Sequence, residues 1–189
     1  AAVLRDEVGG WIGIGEGIKD VRRHFATLYE KDPQMPHERK TFDRLLSDGE
    51  SVGKSPLTAK VIATPGHTPS CVSYLIGENL FVGDTLFMPD GGTARCDFPG
   101  GSPEQLYHSI QRIFSLPDET KIFVCHDYCP NGREVAWATT VGEERAKNIH
   151  IKVDTTKKDF INLRTARDKT LALPNLMLLA LQVNLEAGL

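Results

Sequence analysis

Three short segments of this chain run from an apolar stretch directly into a side chain that can bind a metal ion. They are TPGHT at 64–68, FVGDT at 81–85 and FVCHD at 123–127. A strand end holds its side chains rigidly, and metal ligands need positions that are fixed to a fraction of an ångström. The three segments therefore predict a metal site at one edge of a β-sheet.

A predicted hairpin brings the first two segments together. Apolar runs at 71–76 and 80–82 are joined by Gly-Glu-Asn at 77–79, which is typical of a hairpin turn. The turn geometry places His67 and Asp84 within roughly two or three residues of direct opposition, at the open end of this hairpin. We expect the imidazole and the carboxylate to converge there, and Zn, Fe or Mn suits these two ligand types.

The elements that must position these side chains predict a layered α/β or α+β domain, because strands are followed by helices twice along the chain. Ser102 and Pro103 form a strong helix start, and Thr140 and Thr156 begin capping-box patterns. Strands are predicted at 11–14, 57–63, 71–76, 80–82 and 121–125. Helices are predicted at 18–30, after Ser102, and in the tail, where Phe160, Leu163 and Leu171 share a face. Residues 32–40 are predicted to form a loop.

Composition narrows the class of protein. The chain has 189 residues, a formal net charge of −3 and 40% hydrophobic residues, so it is long and apolar enough for a globular core. A near-neutral charge predicts no nucleic-acid partner. No apolar run reaches the roughly 18 residues of a membrane span, so no membrane association is predicted. Four cysteines do not form a disulfide-dense scaffold, and this predicts a reducing, cytoplasmic setting.

Other residues that could do chemistry have simpler interpretations. Cys125 and Cys129 are interpreted as isolated thiols, because no second cysteine pair completes a zinc site. The glycines at 13, 15 and 17 lack dinucleotide-loop spacing. The remaining histidines, at 24, 37, 108 and 150, are predicted on the surface, and the arginines at 22, 23, 164 and 167 on solvated helix faces.

The ordered motifs TPGHTP at 64–69, FVGDTLF at 81–87 and CHDY at 125–128 resemble the C-terminal motifs of the metallo-β-lactamase superfamily. Within it, TARCDF at 93–98 resembles the persulfide dioxygenase branch, whose relatives are glyoxalase II-like hydroxyacylglutathione hydrolases. The resemblance implies an α+β fold, a four-layer αβ/βα sandwich. It implies a metallo-β-lactamase-like domain at 1–150, the C-terminal two-thirds of the family fold, and a helical extension at 151–189.

The resemblance also implies the metal ligands. His67 and Asp84 would bind the metal, and His126 would be a second-site ligand in two-metal members or an outer-shell residue in one-iron members. The first metal motif of the family, H-x-H-x-D-H, is absent, since no two histidines here stand two apart. We therefore expect a family fold that is incomplete at its N-terminus, with uncovered apolar faces that favour a homo-oligomer.

Around the metal, Tyr128 and Asp97 would be catalytic side chains, and Arg95 with Tyr128 would bind substrate. The leading expectation is a persulfide dioxygenase-like enzyme in which Fe(II) oxidises glutathione persulfide, a small-molecule thiol derivative, to sulfite. One alternative is a glyoxalase II-like hydrolase, in which two Zn ions supply a hydroxide that attacks a thioester. The other is an inactive fragment without metal, and the missing motif leaves open whether this chain is itself an enzyme.

Overall fold

The computed structural model describes residues 1–26, 41–174 and 176–188. Its helices are α1 (Ala2–Val8), α2 (Ile18–Ala26), α3 (Pro103–Phe114), α4 (Val141–Lys147), α5 (Lys157–Asp168) and α6 (Met177–Leu185), with a 3-10 turn at Pro130–Gly132. Its strands are β1 (Gly13–Gly15), β2 (Arg44–Leu46), β3 (Ser51–Val52), β4 (Ala59–Ala63), β5 (Val72–Ile76), β6 (Asn79–Phe81), β7 (Lys121–Phe123) and β8 (Ala138–Thr140).

Six of these strands form one sheet in the order β3-β4-β5-β6-β7-β8, and β1 pairs with β2 in a second, two-stranded sheet. Neighbours in the larger sheet are antiparallel except β6 and β7, which run parallel. The predicted hairpin is confirmed: Gly77 and Glu78 alone separate β5 from β6, and Tyr74 pairs with Phe81. Gly77 has a φ of 59°, a left-handed conformation that glycine adopts without strain.

The connection from β6 to β7 contains α3, since two parallel strands need a crossover rather than a tight turn. This helix begins where the sequence predicts. The Ser102 hydroxyl accepts a hydrogen bond from the Gln105 N–H at 3.2 Å, and Pro103 occupies the first turn. The helix then buries one face, which includes Leu106 and Ile113, in the largest core cluster.

The cores define four layers. On one face of the larger sheet, Leu80 packs with Ile110 of α3 and Phe160 of α5. On the other face, Val61 packs with Leu46 of β2, because neighbouring residues of a strand point to opposite faces. Beyond the small sheet, α2 forms a third cluster with contacts from β1 and α6. This helix–sheet–sheet–helix order confirms the predicted α+β fold class.

Several elements differ from the predictions. The helix predicted over 18–30 is described as Ile18–Ala26, and residues 27–30 and the predicted loop at 32–40 lie outside the described residues. The tail is two helices rather than one long one: α5 ends at Asp168, and Pro174, which has no N–H and disfavours helix before it, precedes α6. The elements α1, β2, β3 and β8 are not predicted from the sequence, because they are too short to show a periodic pattern.

The segment 151–189 is helical where described, as predicted, and both of its helices pack onto elements from the first 150 residues. A domain division at residue 150 stays a prediction. Within the described ranges, no helix is both long enough and apolar enough to cross a bilayer.

Candidate metal centre

Strand register brings the predicted metal-binding segments to one edge of the larger sheet. β6 and β7 end in parallel register, and Asp84 and His126 each follow the last paired residue by three positions. The loop that carries His67 leaves β4 and enters β5 at the same edge. Buried hydroxyls join the first two segments, since Thr85 Oγ1 donates to Thr64 Oγ1 at 3.2 Å. The fold therefore holds these side chains on rigid strand ends.

The predicted convergence of His67 and Asp84 is confirmed. Nε2 of His67 lies 3.7 Å from Oδ2 of Asp84. Nδ1 of the same ring lies 2.8 Å from the carbonyl oxygen of Arg95. A carbonyl oxygen can only accept, so Nδ1 carries a proton, and Nε2 is the ring nitrogen that faces the carboxylate.

The other carboxylate oxygen, Oδ1 of Asp84, meets two further donor atoms. His126 Nε2 lies 2.9 Å from it, and the Cys125 thiol donates to it with an Sγ–O distance of 2.8 Å. Burial, followed by the Asp84 carboxylate, raises the pKa of the Cys125 thiol to about 12, which keeps the thiol protonated as this hydrogen bond requires. We call His67, Asp84, Cys125 and His126 the rim site.

The rim site fits a metal ion. His67 Nε2 and Asp84 Oδ2 face each other at 3.7 Å, and an imidazole nitrogen and a carboxylate oxygen are both ligands that a divalent cation can bind. The hydrogen bond from His67 Nδ1 to a carbonyl oxygen is the outer contact that metal-binding histidines usually make. The Asp84 and His126 side chains are 40% and 44% exposed, so an ion has access from solvent. The residues that would hold it are His67, Asp84 and His126.

Arg95 and Asp97 form a bidentate ion pair, with both N–O distances 2.6 Å. This pair raises the pKa of the guanidinium and lowers the pKa of the carboxyl group. Arg95 also donates to the carbonyl oxygens of Leu171 and Ala172 and lies over the ring of Phe98. Its donors are thus occupied by protein, and it ties the loop beside His67 to the segment after α5.

Tyr128 packs edge-on against His126 and Phe87, with ring centroids 5.0 and 5.1 Å away, and it remains largely exposed. Burial of part of its ring raises the pKa of its hydroxyl. The neighbouring Asp127 side chain is buried and accepts from Arg133, which holds the pKa of that carboxyl well below its usual range. Asp127 therefore anchors the loop that presents His126 and Tyr128.

A cavity of about 620 Å³ opens beside the rim site. Five of the six predicted site residues line it, and the exception is Asp97, which supports the Arg95 guanidinium from outside the wall. Catalytic roles for Asp97 and Tyr128 and a substrate-binding role for Arg95 stay predictions. The wall also includes Phe98, from the TARCDF motif, and Arg167, for which the sequence predicts only a solvated helix face.

Two predictions about surface residues are wrong, because tertiary packing buries side chains whose own helix or loop pattern is polar. Arg164 is 1% exposed, and it forms an ion pair with Asp168 at 2.6 Å. His150 is also buried, and its Nδ1 accepts from the backbone N–H of Thr93 at 2.9 Å. We call Thr93, His150, Arg164 and Asp168 the buried cluster. The exposed histidines at 24 and 108 agree with prediction, and the one at 37 lies outside the described residues.

Cys125 is predicted to be an isolated thiol, but in the structure its thiol contacts Asp84 at the rim site. Its position at the end of β7, next to His126, is the signal that could have identified it. The thiol of Cys129 lies by Asp127 rather than Asp84, so the two cysteines face different carboxylates. All four cysteines are free thiols.

Residues 6–126 match the sequence profile of the metallo-beta-lactamase superfamily, and this match covers more than half of the chain. The chain belongs to this superfamily. Members of the superfamily bind metal ions, iron or zinc.

Among curated proteins, a probable metallo-hydrolase of Burkholderia pseudomallei is 46% identical over 198 residues, covering 100% of this chain and 67% of the relative. Glyoxylase B2 of Dictyostelium discoideum is 50% identical, covering 93% of this chain and 60% of the relative. A hydroxyacylglutathione hydrolase of Yersinia pestis is 37% identical over 122 residues, covering 65% of this chain and 47% of the relative. This chain thus spans no more than about two-thirds of these relatives.

Among solved structures, ETHE1 from Myxococcus xanthus superposes with a TM-score of 0.77 and 28% sequence identity. The superposition covers 100% of this chain and 71% of that protein. The four-layer arrangement described above is therefore shared with a crystal structure over the whole of the present chain.

Proposed function

We propose that this protein is an iron-dependent, persulfide dioxygenase-like enzyme that oxidises glutathione persulfide to sulfite. The observation that carries the proposal is the donor set at the mouth of the cavity, where two imidazoles, His67 and His126, face one carboxylate, Asp84. Two histidines and one carboxylate are the ligand set of many iron(II) oxygenases. The proposal therefore assigns His126 as a direct ligand, because its Nε2 lies 2.9 Å from Asp84 Oδ1, and not as the outer-shell residue that the resemblance implies for one-iron members. When bound, iron(II) would supply open coordination positions for the sulfur atom and O₂.

The substrate class is supported by the cavity wall and by the names of the relatives. Glutathione carries carboxylates, and Arg167 lines the cavity with a guanidinium that makes no hydrogen bond or ion pair within the described residues. Phe98 and Tyr128 add aromatic surface for the rest of a thiol tripeptide. The overall reaction would convert glutathione persulfide, O₂ and water to glutathione and sulfite.

The protein's own side chains would orient these reactants. The Arg95 carbonyl fixes the His67 ring, so that Nε2 faces Asp84. The Tyr128 hydroxyl, whose pKa is raised and which is therefore protonated at neutral pH, would donate a hydrogen bond to the bound substrate. Asp97 would contribute to catalysis by keeping the Arg95 guanidinium in place beside the cavity.

Iron loading with sulfite analysis tests the proposal. Loaded anaerobically with iron(II), the protein should bind one iron per chain and form sulfite from glutathione persulfide with matching O₂ uptake. The Asp84→Ala variant should retain no iron, whereas Asp154→Ala, which removes an exposed carboxylate far along the chain, should load normally. Iron binding without sulfite formation would refute the oxygenase assignment, and normal iron content in Asp84→Ala would refute the ligand assignment.

A second candidate, a glyoxalase II-like thioester hydrolase with two metal ions, has its own supporting observation. The two oxygens of Asp84 face different imidazoles, Oδ2 toward His67 and Oδ1 toward His126, as in a carboxylate that bridges two cations. The similarity to a glyoxylase and a hydroxyacylglutathione hydrolase also supports this candidate. Two zinc ions per chain, together with hydrolysis of a glutathione thioester, would favour it over the oxygenase.

We also propose that the protein forms a homo-oligomer and that it is located in the cytoplasm. Exposed apolar side chains of α1 and α6, including Leu4, Val8, Leu179 and Val183, support a homo-oligomer. Light scattering during gel filtration tests this, and a monomer mass would overturn it. A cytoplasmic location rests on the small number of cysteines, all of them free thiols.

A further inference from the structure

Cys125 reaches the rim site through the topology of the sheet. It follows β7 by two residues, and β7 lies parallel to β6, whose own continuation carries Asp84. The thiol and the carboxylate are 41 residues apart in sequence, yet Sγ lies 2.8 Å from Oδ1. The next residue, His126, places Nε2 2.9 Å from the same oxygen. Sulfur, nitrogen and oxygen donors thus meet at one point.

The spacing of these three atoms matches what a shared ion requires. Sγ of Cys125, Nε2 of His126 and a carboxylate oxygen of Asp84 all lie within 4.8 Å of one another. Zinc-type ions hold S, N and O ligands about 2.0–2.3 Å away, which sets tetrahedrally arranged ligands roughly 3.4–3.6 Å apart. The two contacts to Oδ1, at 2.8 and 2.9 Å, need to widen by roughly 0.5–0.8 Å to reach this spacing, which side-chain rotations on an exposed loop allow.

We propose that Cys125 is a metal ligand, and that its thiolate joins Asp84 and His126 in a sulfur–nitrogen–oxygen site for a borderline-soft divalent cation. The proposal rests on the assignment of Asp84 and His126 as ligands under the proposed function, but not on the reaction. Ligation replaces the S–H bond by a sulfur–metal bond and releases the proton to solvent. A thiolate makes the site favour Zn²⁺, Co²⁺ or Fe²⁺ over Mg²⁺ and Mn²⁺, which prefer oxygen ligands.

The rival interpretation is that the thiol only orients Asp84 by its hydrogen bond. Cys125→Ser separates the two, because a hydroxyl keeps the hydrogen bond but cannot give a sulfur-to-metal charge-transfer band. Cys129→Ser is the matched control, since it removes a thiol four residues away that lies by Asp127 instead. Both side chains lie on the surface loop after β7, so neither substitution disturbs the core.

Titration of the 189-residue chain with Co²⁺, followed by absorption and calorimetry, tests the proposal. Wild type and Cys129→Ser should develop a thiolate-to-cobalt band in the near ultraviolet. Cys125→Ser should lack the band and bind Co²⁺ at least roughly 10-fold more weakly, because losing a ligand costs no less affinity than losing an outer contact. A band that persists in Cys125→Ser, or Co²⁺ binding to wild type with no band, overturns the ligand role of Cys125.

The Asp84→Ala variant separates this inference from the proposed function. Loss of all Co²⁺ binding in Asp84→Ala, with loss of only the band and part of the affinity in Cys125→Ser, supports both assignments. A wild type that binds no Co²⁺ contradicts both of them. Absence of sulfite formation beside an intact cobalt band refutes the reaction alone.

Discussion

The rim site and the buried cluster contain the same kinds of side chain in opposite settings. Each combines histidine with aspartate, and each lies against the same cavity. In the buried cluster, Arg164 neutralises Asp168 and donates to the carbonyl oxygen of Thr93 at 3.0 Å. At the rim site, Asp84 faces two imidazoles and a thiol with no arginine or lysine ion pair among the described residues.

This difference separates a group of residues that stabilises the fold from one that is ready for a ligand. The Asp168 carboxylate also accepts from the backbone N–H of Cys96 at 2.8 Å, so the cluster fixes the loop that carries Arg95. A satisfied, buried network has little left to offer a ligand. The rim site instead places two imidazoles and a thiol, all of them possible metal ligands, around one half-exposed carboxylate that has no arginine or lysine partner among the described residues.

The largest effect is expected from Arg164→Leu, which leaves Asp168 buried without a counter-charge. Removing one partner of a buried ion pair costs about 3–5 kcal/mol, so the free energy of unfolding should fall by that amount in urea titrations. Arg167→Ala, one turn further along α5 and exposed, is the control and should change stability by less than about 0.5 kcal/mol. Equal losses in both variants would contradict the distinction between the two arginines.

The free energy of unfolding is expected to depend on pH through His150, a buried side chain that folding keeps uncharged. Burial, then the charges of Arg164 and Arg167, lowers the pKa of this imidazole to about 4, against the opposing effect of Asp168. The unfolded state, with a pKa near 6.5, takes up the proton first, so folding loses stability as the pH falls from about 6.5 to about 4. The loss should approach roughly 3 kcal/mol relative to His150→Gln, measured as the difference between their unfolding free energies at each pH.

Glu144 should show the opposite pH dependence of stability, because burial raises its pKa instead of lowering it. Burial raises the pKa of its carboxyl group to about 8, so its stabilising contribution is complete below about pH 4.5 and is lost as the pH rises through about 8. Glu144→Gln, which mimics the protonated acid and keeps the contact with Asn148, should therefore gain stability over wild type with rising pH. His150→Gln should gain stability over wild type as the pH falls, and Glu144→Gln should gain it as the pH rises. If both variants gain stability over wild type in the same pH direction, burial does not explain the pKa of one of the two groups.

Arg167→Ala should weaken glutathione binding by about tenfold, because one charge-assisted hydrogen bond to a carboxylate contributes roughly 1.5 kcal/mol. Its metal content should stay unchanged, since Arg167 contacts no ligand residue. Lys169→Ala, which removes a cation just past the end of α5 and outside the cavity wall, should bind glutathione like wild type. Calorimetric dissociation constants that rise by the same factor in both variants would indicate a long-range charge effect instead.

The sequence predicts the features of the fold and of the site that depend on neighbouring residues, and it misses those that depend on segments far apart in the chain. The cap at Ser102, the β5–β6 hairpin and the convergence of His67 with Asp84 depend on short stretches of chain, and each was predicted. The burial of Arg164 depends on a loop 71 residues away, so its polar helix pattern indicated solvent instead. The position of Cys125 next to Asp84 depends on the parallel pairing of β6 with β7, which the residues of the β5–β6 hairpin do not predict.

The most direct comparison of the two regions is the same substitution, aspartate to asparagine, made once in each of them. Asp168→Asn should destabilise the fold by about 3 kcal/mol, because Arg164 would then be buried without its counter-charge. Asp84→Asn should change the free energy of unfolding by less than about 1 kcal/mol, since its carboxylate is half exposed and faces no permanent cation. Metal binding should show the reverse order, lost in Asp84→Asn and retained by folded Asp168→Asn. If Asp84→Asn unfolds as readily as Asp168→Asn, the rim carboxylate is structural, and the crowding of donors around it has a role in folding rather than in binding an ion.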